Sequence, residues 1–268
     1  MYLADYHTHC AWSMDARVPM AQMALAAADK GFDEICFTDH VEPFESGSWE
    51  HNVYDFAALD REYEEARAAV DGRIRIRRGV ELGEAPRDFP WCEEALRQLG
   101  ELDFVIGSIH QLSEAFGCQD LLFASTADPE LSRRQIRDYL ELVLKQAHWG
   151  NFCVQGHLTL PLRYMNELRH GHMTFDGFEA EVEEIFRVLI PKGLGIELNT
   201  NRGHTPLPDE KWLRLYRRCG GEIITLGTDA HTPEYVGCCI RERQALLKEC
   251  GFRAFCTFEK RKPIFHDL

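Results

Sequence analysis

Short apolar runs alternate with longer amphipathic segments along the whole chain. The runs are Tyr2-Leu3-Ala4, Ile35-Cys36-Phe37, Ile76–Val80, Phe104–Ile109, Phe152–Gln155, Leu194–Ile196 and Ile223–Gly227. Runs this short, rich in β-branched and aromatic residues, have the signature of buried strands. The segments between them have helical spacing. Pro19–Lys30 is rich in Ala and Met, with Pro at its start and Gly31 just past its end, the punctuation of a helix. Phe56–Val70 carries Glu and Arg at helical intervals, and Phe89–Leu99, Pro129–Trp149, Phe175–Leu189, Asp209–Arg218 and Arg241–Cys250 read similarly. Phe252–Phe258 reads as a last strand or a packing tail. No repeat, low-complexity linker or composition break interrupts the alternation. This predicts one α/β domain over residues 1–268, built on a parallel sheet.

Each apolar run is followed at once by a residue able to bind a metal. The series is His7 and His9, Asp39-His40, Glu81, His110, His157, Glu197, then Asp229 with His231. Parallel strands of a barrel all point one way, so the residues at their C-terminal ends converge on one face. A doubly wound open sheet gathers its site at a single switch point instead. Seven polar strand ends therefore predict a seven-stranded, TIM-like barrel. Long segments at Val41–Asp55, Gln111–Asp128, Leu158–Met173 and Thr200–Pro208 are the loops expected to carry function.

The individual motifs have physical readings. In His7-Thr8-His9, residues two apart on a strand face the same side, so both imidazoles reach one ion. Asp15, six residues after His9, reads either as a ligand or as a turn cap. Glu81 ends an apolar run, where a carboxylate is costly to bury unless paired or metal-bound, and its two oxygens suit a bridge between ions. Glu84 lies past that strand and is expected to face solvent. Thr228-Asp229-Ala230-His231 offers two more ligands. Each motif alone has a bland explanation, but polar ligands at the end of every strand do not. Imidazole with carboxylate suits Zn, Mn and Fe alike.

Composition narrows the function. At 268 residues and 45% hydrophobic, the chain can bury a large core. Its net charge of −14 argues against general nucleic-acid binding, although bound divalent ions would reverse the sign locally. The ten cysteines form no CxxC framework, and adjacent Cys238-Cys239 is poor geometry for a mutual disulfide. No signal segment or membrane span is evident, which points to a reducing cytoplasm.

His7-Thr8-His9, Thr38-Asp39-His40, Ser108-Ile109-His110 and Asp229-Ala230-His231, with Glu81 and His157 between them, resemble the four motifs of the polymerase-and-histidinol-phosphatase (PHP) superfamily. The likeness runs nearly the full length. The strings Asp5-Tyr6-His7-Thr8-His9, Phe37-Thr38-Asp39-His40, Gly156-His157-Leu158 and Glu197-Leu198-Asn199-Thr200 resemble its histidinol-phosphate phosphatase branch. Many superfamily members have a His soon after the first motif; here Asp15 stands there, as the phosphatase branch also has an acidic residue. The resemblance implies a distorted (β/α)7 barrel holding two to three divalent transition ions. It implies one ion on His7, His9, Glu81 and Asp229, a second on Glu81, His110 and His157, and a third on Asp15, His40 and His231.

For phosphomonoester hydrolysis, two ions a few ångströms apart would bridge a water, lower its pKa and hold the resulting hydroxide for attack, with Asp229 or His231 moving a proton. Arg163 and Arg202, in loops on the reactive face, are expected to clamp the phosphate. Glu197 and Asn199 are expected to orient substrate or water, and Trp49, Phe116 and Tyr164 to suit the imidazole. His51, His148, His170, His172, His204 and His266 fall outside the strand-end pattern and are expected to be solvated or loop residues. The expected partner is a small phosphomonoester, L-histidinol phosphate above others, with no nucleic acid and no membrane. The rival readings are another PHP phosphoesterase, acting on a nucleotide or phosphotyrosyl peptide, and a noncatalytic metal-stabilised domain.

Overall fold

The computed structural model describes residues 1–45 and 48–268. Positions 46 and 47 of the expected Val41–Asp55 loop lie outside the described residues. Seven strands form one parallel sheet: β1 (Ala4–Thr8), β2 (Glu34–Phe37), β4 (Arg75–Gly83), β5 (Phe104–Ser108), β6 (Val154–Gln155), β7 (Gly195–Asn199) and β8 (Ile224–Gly227). A two-residue strand, β3 (His40–Val41), pairs with the end of β4, bringing His40 opposite Glu81. The order β1-β2-β4-β5-β6-β7-β8 follows the chain, the topology of a barrel rather than of a doubly wound sheet.

The barrel nearly closes between β1 and β8. Thr8 bridges to Ala230, and the amide of Asp229 donates to the His7 carbonyl at 2.8 Å. Buried Asp5 reinforces this seam. Its Oδ1 accepts from the Thr228 amide (3.0 Å), and its Oδ2 accepts from the Thr228 hydroxyl (2.6 Å) and the Gly237 amide (2.9 Å).

Helices connect the strands where helical spacing predicts them: α1 (Met20–Asp29), α2 (Phe56–Val70), α3 (Phe89–Leu99), α4 (Pro129–Trp149), α5 (Glu179–Leu189), α6 (Glu210–Arg218) and α7 (Ile240–Glu249). Four of them begin at an aspartate whose carboxylate accepts a first-turn amide: Asp55 (from Ala58), Asp88 (Trp91), Asp128 (Glu130) and Asp209 (Lys211). Each such cap is worth about 0.5–2 kcal/mol. Among the described residues, no helix is long and apolar enough to cross a membrane.

The chain ends in an antiparallel hairpin, β9 (Ala254–Glu259) and β10 (Lys262–Asp267), of which sequence reading expected only the first strand. It packs at the N-terminal end of the barrel. Lys260 and Arg261 amides bond Asp103, just before β5. Phe258 exchanges hydrogen bonds with the Tyr6 hydroxyl and packs on Phe104 at 5.0 Å. That end is stapled by charge as well, since Arg77 donates to both Glu34 (3.1 Å) and Glu259 (2.9 Å). The opposite end, with the C-terminal strand ends, is left for the site.

Candidate metal centre

The strand ends deliver their side chains to one buried cluster centred on Glu81. Glu81 Oε2 faces His7 Nε2 (3.2 Å), His40 Nδ1 (3.2 Å) and His9 Nε2 (3.5 Å). Its other oxygen faces His157 Nε2 (2.8 Å) and His110 Nε2 (3.2 Å), and accepts from the Ser108 hydroxyl at 2.6 Å. Asp229 Oδ1 lies 3.3 Å from His9 Nε2 and 3.8 Å from His7 Nε2. At the outer edge, Asp15 Oδ2 lies 2.8 Å from His231 Nε2 and 3.5 Å from His40 Nε2. The nine expected ligands thus form one continuous constellation.

Local backbone explains several of these positions. His7 belongs to β1 and His9 lies just past it, so both point inward. Asp229 adopts a positive φ of 58°, which turns its carboxylate back over the strand ends. Asp39 does not face the cluster. It is buried and accepts from the Cys10 amide at 2.7 Å, which ties the loop after β1 to the end of β2.

The residues fit divalent ions. His7 Nε2, His9 Nε2 and His40 Nδ1 are buried without hydrogen bonds although carboxylate oxygens stand close by. Four groups each bring their ligand atoms within 4.8 Å of one another: His9-Asp15-His40-His231, His7-His9-Asp229, His7-Glu81-His157 and His40-Glu42-His110. Neutral imidazole and carboxylate are the donors that Zn, Mn and Fe share.

Electrostatics favour charged forms here. Burial alone would raise Glu81, but the imidazoles of His7, His40 and His110 hold it well below the usual carboxylate range. Burial opposes charge on His7, yet Glu197, Glu81 and Asp229 push it well above its ordinary value. His40 and His110 are raised likewise, against burial, with Glu81 the foremost cause in each. His9 goes the other way: burial, then His231 and His40, lower it to about 3. Asp229, despite burial, is held low by Arg163 and His7.

The expected phosphate contacts divide. Arg163 reaches the cluster, where Nη1 donates to Asp229 Oδ2 (2.6 Å), Nη2 to Asn199 Oδ1 (3.0 Å) and Nε to Asn201 Oδ1 (2.8 Å). Arg202 lines the same cavity, with its guanidinium 4.9 Å from the centre of the Tyr235 ring. Glu197 is not placed to orient substrate. It lies beneath the cluster, 2.7 Å from His7 Nδ1, and accepts from the His157 amide at 2.7 Å. Asn199 is likewise set back, since its oxygen is occupied by Arg163 and by the Asn201 amide.

Two further corrections concern acids. Glu84 is buried, not solvated: it accepts from the His110 amide and, at 3.1 Å, from the Gln111 amide. Glu42 was not singled out from sequence, yet its Oε1 lies 2.8 Å from His110 Nδ1 and 3.4 Å from His40 Nδ1. Its position two residues after His40 was the available signal. A cavity of about 760 Å³ opens over the cluster. Tyr164 lines it, Trp49 and Phe116 do not, and His204 does, although it stands outside the strand-end pattern.

The chain is similar to known proteins over nearly all of its length. A histidinol-phosphatase of Lactococcus lactis is 26% identical over 96% of this chain and 95% of its own. A probable histidinol-phosphatase of Deinococcus radiodurans is 28% identical over 97% and 98%. The crystal structure of L. lactis histidinol phosphate phosphatase, complexed with zinc, L-histidinol and phosphate, superposes with a TM-score of 0.82 at 25% identity, covering 98% of both chains. A Listeria monocytogenes structure shares the fold, with a TM-score of 0.72 at 18% identity. The PHP domain model matches residues 5–201, which span six of the seven strand ends. With that match and the barrel beneath it, the chain belongs to the PHP domain family.

Proposed function

We propose that this chain is a metal-dependent phosphomonoesterase that hydrolyses L-histidinol phosphate to L-histidinol and phosphate, in the reducing cytoplasm, as one catalytic unit over residues 1–268. The observation that carries the reading is the Glu81 cluster, with Arg163 poised against Asp229 at its edge. The likeness to an enzyme complexed with zinc, L-histidinol and phosphate supports both the chemistry and the substrate.

Two to three divalent ions, Zn, Mn or Fe, suit the donor set. His7, His9, Glu81 and Asp229 would hold one, Glu81, His110 and His157 a second, and Asp15, His40 and His231 a third. When bound, such ions supply Lewis acidity toward the phosphoryl oxygens and a nucleophilic water of lowered pKa.

The chain's own groups do the rest. Arg163 presents a planar fork of donors, the geometry that suits a phosphate. Its bonds to Asn199 and Asn201 fix the plane of that fork before substrate arrives. Arg202 adds a second cation at the cavity wall. Glu197 and Glu42 accept from the outer nitrogens of His7 and His110, which fixes the tautomer that aims Nε2 at Glu81. Asp229 and His231 are assigned the proton transfers, because both line the cavity that opens over the cluster.

The test is phosphate release from L-histidinol phosphate, p-nitrophenyl phosphate, nucleoside monophosphates and a phosphotyrosyl peptide, alongside metal analysis. Protein purified without chelator is expected to carry two to three transition ions per chain, to lose activity on chelation and to regain it with Zn²⁺ or Mn²⁺. L-Histidinol phosphate is expected to have the highest kcat/KM. Full activity in metal-free protein would overturn the chemistry, and a nucleotide or peptide that outcompetes histidinol phosphate would overturn the substrate.

A further inference from the structure

The cavity has a second wall that phosphate chemistry does not use. Asp120, Leu122, Tyr164 and Glu167 line it, from two touching segments, Leu121–Phe123 with its cap Asp120, and Arg163–Leu168. Arg169 ties the segments together by donating to the Leu122 carbonyl at 2.5 Å.

Asp120 is held rigidly in this wall. It bridges to Gln111 in a small antiparallel loop, and the Leu121 amide bonds the His110 carbonyl at 2.8 Å. Its placement is therefore coupled to the strand end that delivers His110. Asp120 Oδ1 accepts from the Leu122 amide at 2.7 Å. Among the described residues, no cation pairs with this carboxylate. Glu167 differs, because it is engaged inward. It accepts from Asn201 Nδ2 at 2.5 Å, and the same Asn201 accepts from Arg163. Tyr164 lines the same cavity as Arg163 and Asp120. The wall thus presents a guanidinium, an aromatic ring and an unpaired acid to one space.

We propose that Asp120 determines specificity, by pairing with the cationic group of the leaving alcohol while Arg163 holds the phosphate at the other end. Tyr164 supplies the ring beside that cation. This rests on the phosphomonoesterase reading above. A neutral alcohol in the same cavity would leave the half-buried Asp120 charge facing it unmatched, and that mismatch is the source of discrimination.

Kinetics of wild type and Asp120→Asn on L-histidinol phosphate, O-phosphoethanolamine and p-nitrophenyl phosphate test this, with inhibition by L-histidinol and by inorganic phosphate measured in parallel. In the variant, kcat/KM for the two cationic esters is expected to fall by about 10- to 100-fold. That for p-nitrophenyl phosphate should stay within about twofold. The Ki of L-histidinol should rise in step and that of phosphate should not. Metal content should be unchanged, and Asp120→Glu should recover part of the preference for cationic esters. An equal fall for all three esters, or a phosphate Ki that rises with that of histidinol, overturns the assignment and leaves the phosphatase reading intact. A wild type that prefers phosphoethanolamine, with that preference lost in Asp120→Asn, supports Asp120 and overturns histidinol phosphate as substrate. A wild type that prefers p-nitrophenyl phosphate overturns both.

Discussion

Glu81 has a different task at each oxygen. Oε2 faces three imidazoles, those of His7, His9 and His40, and Oε1 faces the other two, His110 and His157. Removing it leaves two groups of ligands without their shared acceptor. Glu81→Ala is therefore expected to lower metal stoichiometry by more than one ion per chain and turnover by well over about 100-fold. Glu84 works at one remove, because it fixes the backbone of His110 and Gln111. Glu84→Ala is expected to cost about 10- to 100-fold in activity, the usual range for groups that orient ligands, with most of the metal retained. Metal analysis with steady-state rates on both variants decides this, and equal metal loss in the two would remove the bridging role. Eight of the nine proposed ligands were legible in the sequence, because a strand end announces itself as an apolar run followed by a polar residue, whereas Asp15, in the loop after β1, was a ligand only by family resemblance. Glu84 and Asn201 were not legible. Both have positive φ, at 54° and 50°, so their side chains leave the direction that strand alternation implies. Glu42 was missed for a related reason: β3 is only two residues long, too short to leave a periodic trace.

At the scale of elements, helix bounds were readable to within a few residues because caps and apolar spacing agree. Phe56–Val70, Phe89–Leu99 and Pro129–Trp149 stand as expected, two of them opening on Asp caps followed by Pro near the first turn. The start of α5 was misplaced: Phe175 and Phe178 are buried in the turn ahead of it, and the helix starts at Glu179. Strand β10 was unreadable because Lys262–Asp267 is mostly exposed and carries a Pro, features that sequence alone assigns to a tail. Closure of the barrel was also hidden, since it depends on one buried acid rather than on a pattern. Asp5 satisfies donors on β8 and at Gly237 together, and burial pushes its carboxyl up to about 6. Asp5→Asn would keep one acceptor oxygen but turn an amide NH₂ toward the donors on the other side. It is expected to destabilise the fold by about 1–3 kcal/mol, read as a shifted denaturation midpoint. A midpoint unchanged from wild type would mean that the β1–β8 seam does not depend on Asp5.

Taken as a whole, the molecule concentrates charge at one end of its barrel and prepares that end for cations. The chain carries a net −14, and five of its buried acids, Glu42, Glu81, Glu84, Glu197 and Asp229, sit where the C-terminal strand ends meet. Without ions, that negative field favours protons on His7, His40 and His110, while His9 and His157 are held low. Glu197, Glu81 and Asp229 raise His7 against the effect of burial, and Glu81 and Glu42 do the same for His40 and His110. A histidine with a raised folded pKa binds a proton that its unfolded counterpart gives up near pH 6.5, so the metal-free cluster is still partly protonated above that pH. Divalent ions bind only neutral imidazole, so loading the site must expel those protons. Zn²⁺ titrated into chelator-treated protein at neutral pH is therefore expected to release protons, making the apparent binding enthalpy differ between buffers of different ionisation enthalpy. Affinity should fall as pH is lowered, because each proton added to His7, His40 or His110 competes directly with the ion. Glu197→Gln should release fewer protons, since it removes the foremost acid that raises His7. Identical enthalpies in both buffers, with affinity flat across pH 6–8, would show that these histidines are already neutral and that the acids around them serve only to orient their rings.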